Sequence, residues 1–270
     1  MAAWYCCPVH ASRRRALGQH FLRDPAIARA IVDMLAPTAN DLVVEIGPGA
    51  GALTAELART SARIHAIEID AGLIPPLRQR FPGIEIEEGD ARTWNYGALH
   101  APPGGRVLIA GNLPYSVSKP ILMALVNARR AISEMALMLQ REVAERIAAS
   151  PGGKTYGSLS VLTQLYCDVG LALRVPALAF KPAPRVESAV LHLRVLPRPR
   201  IDLTDEARFH SVVRAAFLLR RKMLSNALAA GLGLGVDEAR EALAAAGIDP
   251  ARRAETLTIR EFAMLTSRVS

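Results

Sequence analysis

Apolar residues along this chain fall into short continuous runs separated by polar, glycine-rich segments. The runs at residues 42–46, 64–67 and 107–111 have the length of buried strands. Helical patterns alternate with them, as at 24–35, where Asp24-Pro25 supplies a cap and a first-turn proline. This alternation predicts an α/β fold with a parallel sheet and helices on both faces.

The pattern changes at residues 197–200, which read Pro-Arg-Pro-Arg. No strand-like run follows, and helical patterns recur near 204–218, 222–230, 236–246 and 258–268. We therefore predict a flexible N-terminal tail at 1–13, an α/β domain at 14–197 and a small all-helical domain at 198–270.

Each predicted strand ends in residues suited to ligand binding. Gly47-Pro-Gly-Ala-Gly51 follows the first strand and precedes a helix, Glu68 follows the second strand, and Asp90 follows a third at 84–86. The fourth strand leads into Asn112-Leu113-Pro114-Tyr115. Because the carboxyl ends of parallel strands meet at one edge of a sheet, these residues should lie together. A glycine loop at a helix N-terminus and a later carboxylate are typical of nucleotide binding.

The segment Asn112-Leu113-Pro114-Tyr115 suits a planar base that carries an amino group. Asn112 offers a carbonyl acceptor, and Pro114 forces Leu113 into an extended conformation that turns carbonyls outward. Tyr115 offers a flat apolar face for stacking. The alternative interpretation is an ordinary Asn-Pro turn with a half-buried tyrosine.

The glycine loop also fits a second class of protein. Gly47-x-Gly49-x-x-Ala52 satisfies the dinucleotide fingerprint, with Glu68 as the ribose carboxylate of an NAD-dependent oxidoreductase. Glu45 within the first strand and Asp90 as a second carboxylate favour another nucleotide-like ligand. An oxidoreductase also has no evident use for the Asn-Leu-Pro-Tyr segment.

The charge of the chain favours an anionic partner. Its 270 residues carry a formal net charge of +8, with a sequence pI near 9.9. Clusters at 220–222 and 252–253 concentrate positive charge in the predicted helical domain. A solvated helix end is the alternative interpretation of each cluster.

The three cysteines, Cys6, Cys7 and Cys167, show no CxxC spacing, which argues against a disulfide scaffold or a zinc site. The N-terminus lacks the apolar core of a signal peptide, and no uncharged apolar run approaches membrane-spanning length. We therefore expect a reduced, cytoplasmic protein that does not enter the membrane.

Several motifs in order resemble one known family. They are Gly18-Gln-His-Phe-Leu22, Glu45-Ile-Gly-Pro-Gly-Ala-Gly-Ala-Leu-Thr54, Asn112-Leu-Pro-Tyr115, Phe180-Lys-Pro-Ala-Pro-Arg-Val-Glu-Ser188, Ala216-Phe217 with Arg220-Arg-Lys222, and Gly247-Ile-Asp-Pro250. Across nearly all of residues 14–266 the chain is similar to the rRNA adenine dimethyltransferase family, and most similar to its bacterial small-subunit (16S) branch. The resemblance implies a Rossmann-like class I methyltransferase sheet.

The resemblance also implies S-adenosylmethionine as the methyl donor and no metal. The residues implied to hold the donor are Gln19, His20, Leu22, Gly47, Glu68, Asp90 and Asn112. Gly47 would approach it by backbone, Glu68 would hold the ribose hydroxyls, and Asp90 would hold the adenine amino group. Gln19, His20 and Leu22 would close over it.

The implied target is an adenosine flipped out of an RNA loop. The residues implied at the transfer site are Asn112, Leu113, Pro114, Tyr115 and Phe180. Tyr115 and Phe180 would stack on the two faces of the base. Asn112, with the carbonyl of Leu113 or Pro114, would accept hydrogen bonds from the amine and stabilise its developing charge.

The resemblance implies a monomer that acts on 16S rRNA or the immature small subunit. The implied product is N6,N6-dimethyladenosine at two adjacent adenosines in the 3′-terminal hairpin loop. Three alternatives remain: a related 23S rRNA adenine methyltransferase, a non-catalytic RNA-binding assembly factor with the same fold, and the oxidoreductase described above.

Overall fold

The structure is a computed structural model, and it describes residues 20–269. These residues form two compact units. The first comprises residues 20–144 and 170–195, and the second comprises 145–169 and 196–269. The second unit thus includes 145–169, which the sequence pattern assigns to the α/β domain. Backbone amides of Leu196 and Arg200 donate to the carbonyls of Tyr166 and Leu165, which ties the Pro-Arg segment to residues 145–169.

Nine strands form two sheets within residues 20–269. The strands are β1 (Phe21–Leu22), β2 (Leu42–Ile46), β3 (Arg63–Glu68), β4 (Glu85–Glu88), β5 (Val107–Asn112), β6 (Glu134–Gln140), β7 (Cys167–Val175), β8 (Phe180–Lys181) and β9 (Ser188–Val195). The large sheet has the order β4-β3-β2-β5-β6-β9-β7. Strands β4, β3, β2, β5 and β6 run parallel, and β9 pairs antiparallel with β6. The α/β fold predicted from the sequence is confirmed.

Strand β2 lies in the interior of this sheet, and all five of its residues are buried. A continuous apolar run is what a parallel strand needs when both of its faces are covered. Val43 pairs with Ile64 of β3 and with Leu108 of β5. The exception is Glu45, whose carboxyl group is buried near the carboxyl end of the strand.

Ten α-helices connect or follow the strands within the described residues. They are α1 (Pro25–Leu35), α2 (Ala52–Leu57), α3 (Ile74–Arg80), α4 (Ser118–Asn127), α5 (Arg141–Ile147), α6 (Ser158–Gln164), α7 (Glu206–Ala216), α8 (Leu224–Leu232), α9 (Val236–Ala245) and α10 (Ile259–Thr266). Asp24 caps α1 as the sequence predicts, because its carboxylate accepts from the amide of Ala26. None of these helices is long and apolar enough to span a bilayer.

The core of the first unit lies between the sheet and its helices. Val43, Leu108 and Val190 from three strands join Ile31 and Leu35 of α1 in one buried cluster. Complete burial of such a side chain contributes about 1.5–3 kcal/mol. This packing holds the sheet rigid and fixes the positions of the loops at the strand ends.

The second sheet was not expected from the sequence. The proline-rich segment 180–186 predicts irregular backbone, yet Phe180–Lys181 forms β8 and pairs antiparallel with β1. Leu22 lies opposite Phe180, and the amide of Arg23 donates to the carbonyl of Ala179. The segment preceding α1 is thereby attached to the rest of the first unit.

The second unit contains the four helices predicted after residue 200. Phe209 of α7, Leu228 of α8, Leu243 of α9 and Phe262 of α10 are fully buried. Helix α10 begins with a capping box, in which Thr258 accepts from the amide of Glu261 and Glu261 accepts from the amide of Thr258.

Candidate active site

One cavity opens where the parallel strands of the first unit end. It is lined by the four strand-end residues that the sequence singles out, Gly47, Glu68, Asp90 and Asn112. It is also lined by His20, Leu22, Leu113, Pro114 and Tyr115. Gln19 lies outside the described residues. The structure therefore brings nine of the sequence-predicted site residues to one cavity. Seven of them lie at or after the ends of parallel strands, which meet at the same sheet edge.

The glycine loop forms one wall of this cavity and requires glycine at two positions. Gly47 and Gly49 have φ angles of +67° and +56°, a region that other residues rarely adopt. A Cβ on Gly49 would also lie 2.9 Å from the ring of Phe21. The loop can therefore bring its backbone against a ligand in this conformation only without side chains.

Glu68 supports this loop from the end of β3. Its two carboxylate oxygens accept from the amides of Gly49 at 3.0 Å and Asp70 at 2.9 Å. A carboxylate has about four acceptor positions, so capacity remains for ligand hydroxyls. Burial raises the pKa of Glu68 above its usual value, and the two backbone hydrogen bonds oppose that shift.

Glu45 adds a second buried carboxyl group to the cavity. Its side chain is 1% exposed, and its Oε2 atom has no hydrogen-bond partner within the described residues. Burial raises the pKa of Glu45 to about 8, and the neighbouring charge of Glu68 adds to this effect. Glu45 is therefore a carboxyl group that a cationic ligand would stabilise in its ionised form.

Asp90 also lines the cavity and is held by Arg92. Arg92 Nε lies 3.0 Å from both carboxylate oxygens, and the Arg92 amide donates to Oδ1 at 2.9 Å. This guanidinium holds the pKa of Asp90 below its usual value. Arg92 lines the same cavity, although the sequence analysis did not select it.

Asn112 is oriented by a backbone carbonyl. Its Nδ2 atom donates to the carbonyl oxygen of His20 at 2.8 Å. Because a carbonyl can only accept, the amide nitrogen must point to His20, which leaves Oδ1 as a separate acceptor. This contact also joins the end of β5 to the residue preceding β1.

The carbonyls that follow Asn112 differ in their bonding. The carbonyl of Pro114 accepts from the amide of Val117 at 3.1 Å, which closes a turn before α4. No hydrogen bond within residues 20–269 uses the carbonyl of Leu113. Of the two alternatives left open by the sequence, Leu113 is thus the better placed second acceptor.

Tyr115 is fixed at its hydroxyl and along its ring. Its Oη is hydrogen-bonded to Ser188 Oγ at 2.5 Å. The His20 ring lies 5.3 Å from the Tyr115 ring, tilted by 32°, and His20 Nδ1 donates to the carbonyl of Pro182 at 2.8 Å. His20 therefore contacts the tyrosine that is expected to stack on a base, in addition to lining the cavity.

Phe180 does not line the cavity. Its side chain is 4% exposed and belongs to the buried core cluster, because β8 pairs with β1 and turns the ring inward. In this conformation the Phe180 ring is part of the core. The structure does not support that part of the expected site.

Two contacts in the candidate site were not predicted from the sequence, those of Arg92 with Asp90 and of Ser188 with Tyr115. Arg92 lies two residues after Asp90, but nothing in that spacing requires a contact. Ser188 lies at the end of a quoted motif, which is a signal that could have identified it. No three His, Cys, Asp or Glu side chains of the described part of the chain cluster as a metal site would require.

Comparison with protein families decides between the interpretations of this cavity. The family model described as "Ribosomal RNA adenine dimethylase" matches residues 10–269. The chain belongs to this family. The resemblance drawn from the motifs is therefore confirmed, and the oxidoreductase interpretation of the glycine loop is not supported.

Curated relatives from the dimethylase family match over most of their length. "Ribosomal RNA small subunit methyltransferase A" of Geobacter metallireducens is 46% identical over 258 residues, which cover 94% of each chain. The protein of the same name from Myxococcus xanthus is 44% identical over 250 residues, covering 92% of this chain and 88% of the relative.

Two solved structures have a fold similar to that of this chain. A dimethyladenosine transferase from Plasmodium falciparum superposes with a TM-score of 0.75 at 24% identity, covering 91% of this chain and 96% of that one. The 23S rRNA methyltransferase ErmE superposes with a TM-score of 0.67 at 25% identity, covering 92% and 99%. The predicted Rossmann-like methyltransferase fold is confirmed.

Proposed function

We propose that this chain transfers methyl groups from S-adenosylmethionine to N6 of two adjacent adenosines in the 3′-terminal hairpin loop of 16S rRNA. The observation that carries the proposal is the position of Asn112-Leu113-Pro114-Tyr115. This segment lines the same cavity as the glycine loop and the carboxylates Glu68 and Asp90. Residues suited to an amino-bearing base and residues suited to a nucleoside thus line one cavity, which supports the proposal.

The residues of the cavity fit this donor. A cationic nucleoside needs anionic partners and close backbone approach, and the cavity offers Glu45, Glu68 and Asp90 beside the glycine loop. Glu68 would accept from the ribose hydroxyls and Asp90 from the adenine amino group, while Leu22 and His20 would cover the ligand. Gln19 is expected to assist them. When bound, the donor supplies an activated methyl group.

Asn112 and Leu113 would act on the target amine. The lone pair of an adenine amine is delocalised into the ring, so the nitrogen is a poor nucleophile. Asn112 Oδ1 and the Leu113 carbonyl can accept its hydrogens as the nitrogen becomes tetrahedral and positive. These contacts stabilise the transition state more than the ground state, which is what accelerates the reaction.

Tyr115 would hold the flipped base by stacking, which is worth about 1–3 kcal/mol per base. Its ring is anchored through Ser188, so little further ordering is needed when the base binds. His20 contacts this ring, so the base would have to occupy the remaining surface of Tyr115 or displace His20. Phe180 would contribute only if it left the core.

The proposed substrate is the small-subunit rRNA within an immature subunit, with the chain acting as a cytoplasmic monomer. The curated relatives carry "small subunit" in their names and reach 46% identity, which favours this RNA. A 23S rRNA substrate is the second candidate, favoured by the likeness to ErmE at 25% identity. Purified protein should therefore be offered both rRNAs with the donor, and dimethyladenosine should be mapped by mass spectrometry of the products.

A mutational test separates catalysis from base capture. With saturating donor, we expect Asn112→Ala to bind rRNA nearly normally but to lower single-turnover methylation by about 10²-fold, the effect of losing one transition-state partner. Tyr115→Ala should instead weaken rRNA capture, and Tyr115→Phe is the control that keeps the ring. Wild-type methylation by Asn112→Ala would show that the amine is not held as proposed.

A further inference from the structure

A second depression lies entirely within the second unit, and the proposed reaction gives it no role. Its lining includes Tyr156, Arg198, Arg200, Thr258, Ile259 and Arg260. The lining residues come from the loop before α6, the last residue of α6, residues 196–201 and the start of α10. We name this depression the Arg198 groove.

The charge of the Arg198 groove is positive. Arg198, Arg200 and Arg260 line it and are exposed, and no Asp or Glu is among the lining residues. Arg200 is held by Asp168 at 2.5 Å and by the carbonyl of Gln164 at 2.7 Å. Within residues 20–269, no hydrogen bond or ion pair engages the guanidinium groups of Arg198 or Arg260. Arg198 and Arg260 are therefore cations without an acidic partner, and Arg200 beside them is fixed and partly neutralised.

The start of α10 adds backbone donors to the same groove. The capping box satisfies the amides of Thr258 and Glu261, so those of Ile259 and Arg260 remain without helical partners. The first turn of a helix favours an anion by its dipole and its free amides. Glu261 is the acidic group closest in sequence, and its carboxylate is engaged by Arg252 at 2.5 Å.

Tyr156 provides an independent sign that the groove receives a ligand. Its side chain is 1% exposed and forms part of the wall, yet its hydroxyl has no hydrogen-bond partner within the described residues. Buried hydroxyls are normally satisfied, so an unpaired one calls for an acceptor. Burial raises the pKa of Tyr156 to about 12, and the charge of Glu261 adds to this, so the group remains a donor.

Cations, free helix amides and an unpaired hydroxyl all favour phosphate oxygens. No exposed aromatic ring lines the groove on which a base could stack, so it suits a backbone and not bases. We propose that the Arg198 groove binds the phosphodiester backbone of the RNA substrate. This inference rests on the proposed function, since it takes rRNA as the partner.

The test compares two double variants of equal charge. Arg198→Gln with Arg260→Gln removes the uncompensated cations of the groove, and Arg240→Gln with Arg268→Gln removes two exposed cations of the same unit that do not line it. Affinity for a 16S rRNA transcript is measured from low to physiological salt. We expect the groove variant to lose about tenfold or more in affinity at low salt, with a salt slope smaller by about one to two. The control variant should change both quantities less.

Tyr156→Phe tests the hydroxyl alone. If the hydroxyl donates to a phosphate, rRNA affinity should fall by about two- to fivefold while the thermal midpoint stays constant or rises, because no internal hydrogen bond is lost. A lower thermal midpoint with unchanged affinity would show that the hydroxyl is structural and would overturn its assigned role.

The outcomes distinguish this inference from the proposed function. The proposed function stands if the wild-type protein binds S-adenosylmethionine and dimethylates 16S rRNA. If it does so while the groove variant keeps wild-type affinity and salt slope, the inference about the groove is wrong and the function is not. If the wild-type protein dimethylates neither rRNA, the proposed function itself fails.

Discussion

Asp90 shows how a single neighbour can change the properties of a carboxylate in the candidate site. Arg92 engages both oxygens of the carboxylate that is proposed to hold the adenine amino group of the donor. The Arg92 side chain is 48% exposed, and solvent-exposed ion pairs of this kind contribute little to stability. On the proposed function, the donor would have to share or displace this weak pair, and Arg92 would compete with it for Asp90.

We therefore predict that Arg92→Met raises donor affinity by up to about fivefold, which corresponds to removing an exposed ion pair. Isothermal titration with S-adenosylmethionine measures the change. Asp90→Ala is the matched comparison, and it should weaken binding by about 1.5–3 kcal/mol, because a charged acceptor is lost. Weaker binding by Arg92→Met would mean that Arg92 orients Asp90 for the ligand and does not compete with it.

Part of this site could be predicted from the sequence, because Gly47, Glu68, Asp90 and Asn112 each follow a recognisable strand. The position of a strand end determines the backbone position of the next residue, and this does not depend on the contacts of its side chain. The contact of Arg92 with Asp90 depends on how one loop folds, and that conformation has no periodic signal. The burial of Phe180 likewise depends on a partner strand that is distant in sequence.

Whole elements also differ in whether they can be predicted from the local sequence. Strand β2 was predicted at its observed bounds, because a short apolar run between a turn and a glycine loop is typical of a buried strand. The pairing of β1 with β8 could not be predicted, since two residues per strand show no alternation. The assignment of residues 145–169 to the second unit depends on hydrogen bonds to Leu196 and Arg200, which a linear pattern does not reveal.

Asp41 connects several elements at the amino ends of the strands. Its carboxylate, 1% exposed, accepts from the Arg106 amide at 2.7 Å and guanidinium at 2.9 Å, and from the Thr38 amide at 2.8 Å. Arg106 also donates to Glu134, the first residue of β6, at 3.1 Å. Burial opposes ionisation, but the hydrogen bonds from Arg106 and Thr38 outweigh it and hold the pKa of Asp41 well below its usual range.

Because the pKa of Asp41 is lower in the folded state, its contribution to stability is present at neutral pH. That contribution is lost as the pH falls below the unfolded value of about 3.9. We predict that Asp41→Asn lowers the free energy of unfolding by about 1.5–3 kcal/mol at pH 7. The deficit should shrink as the pH falls below about 3.9, because the carboxylate is then protonated in the unfolded state while it stays ionised in the folded state. Urea unfolding at pH 7 and pH 3 tests this, with the exposed Asp33→Asn as control; an equal deficit at both values would contradict it.

At the scale of the whole molecule, the net charge of +8 is not all available to an RNA. Arg220 donates to the carbonyl of Lys154 at 2.5 Å, and Arg252 pairs with Glu261 and donates to the carbonyl of Thr256 at 2.7 Å. These two cations therefore stabilise the second unit. Arg221, Lys222 and Arg253 are exposed, and their side chains form no internal hydrogen bond or ion pair in the described part of the chain.

The basic clusters should thus separate into two groups. Replacing Arg221, Lys222 and Arg253 by Gln should weaken 16S rRNA binding and reduce its salt slope by about two to three, with no change in thermal midpoint, because only counterion release is lost. Replacing Arg220 and Arg252 should lower the thermal midpoint, because backbone carbonyls and Glu261 lose charged partners. Binding titrations across salt concentrations, paired with thermal unfolding of each variant, measure both effects. If the triple variant binds with the wild-type slope, the three exposed cations are only a solvated face, and RNA contacts must come from other cations such as those of the Arg198 groove.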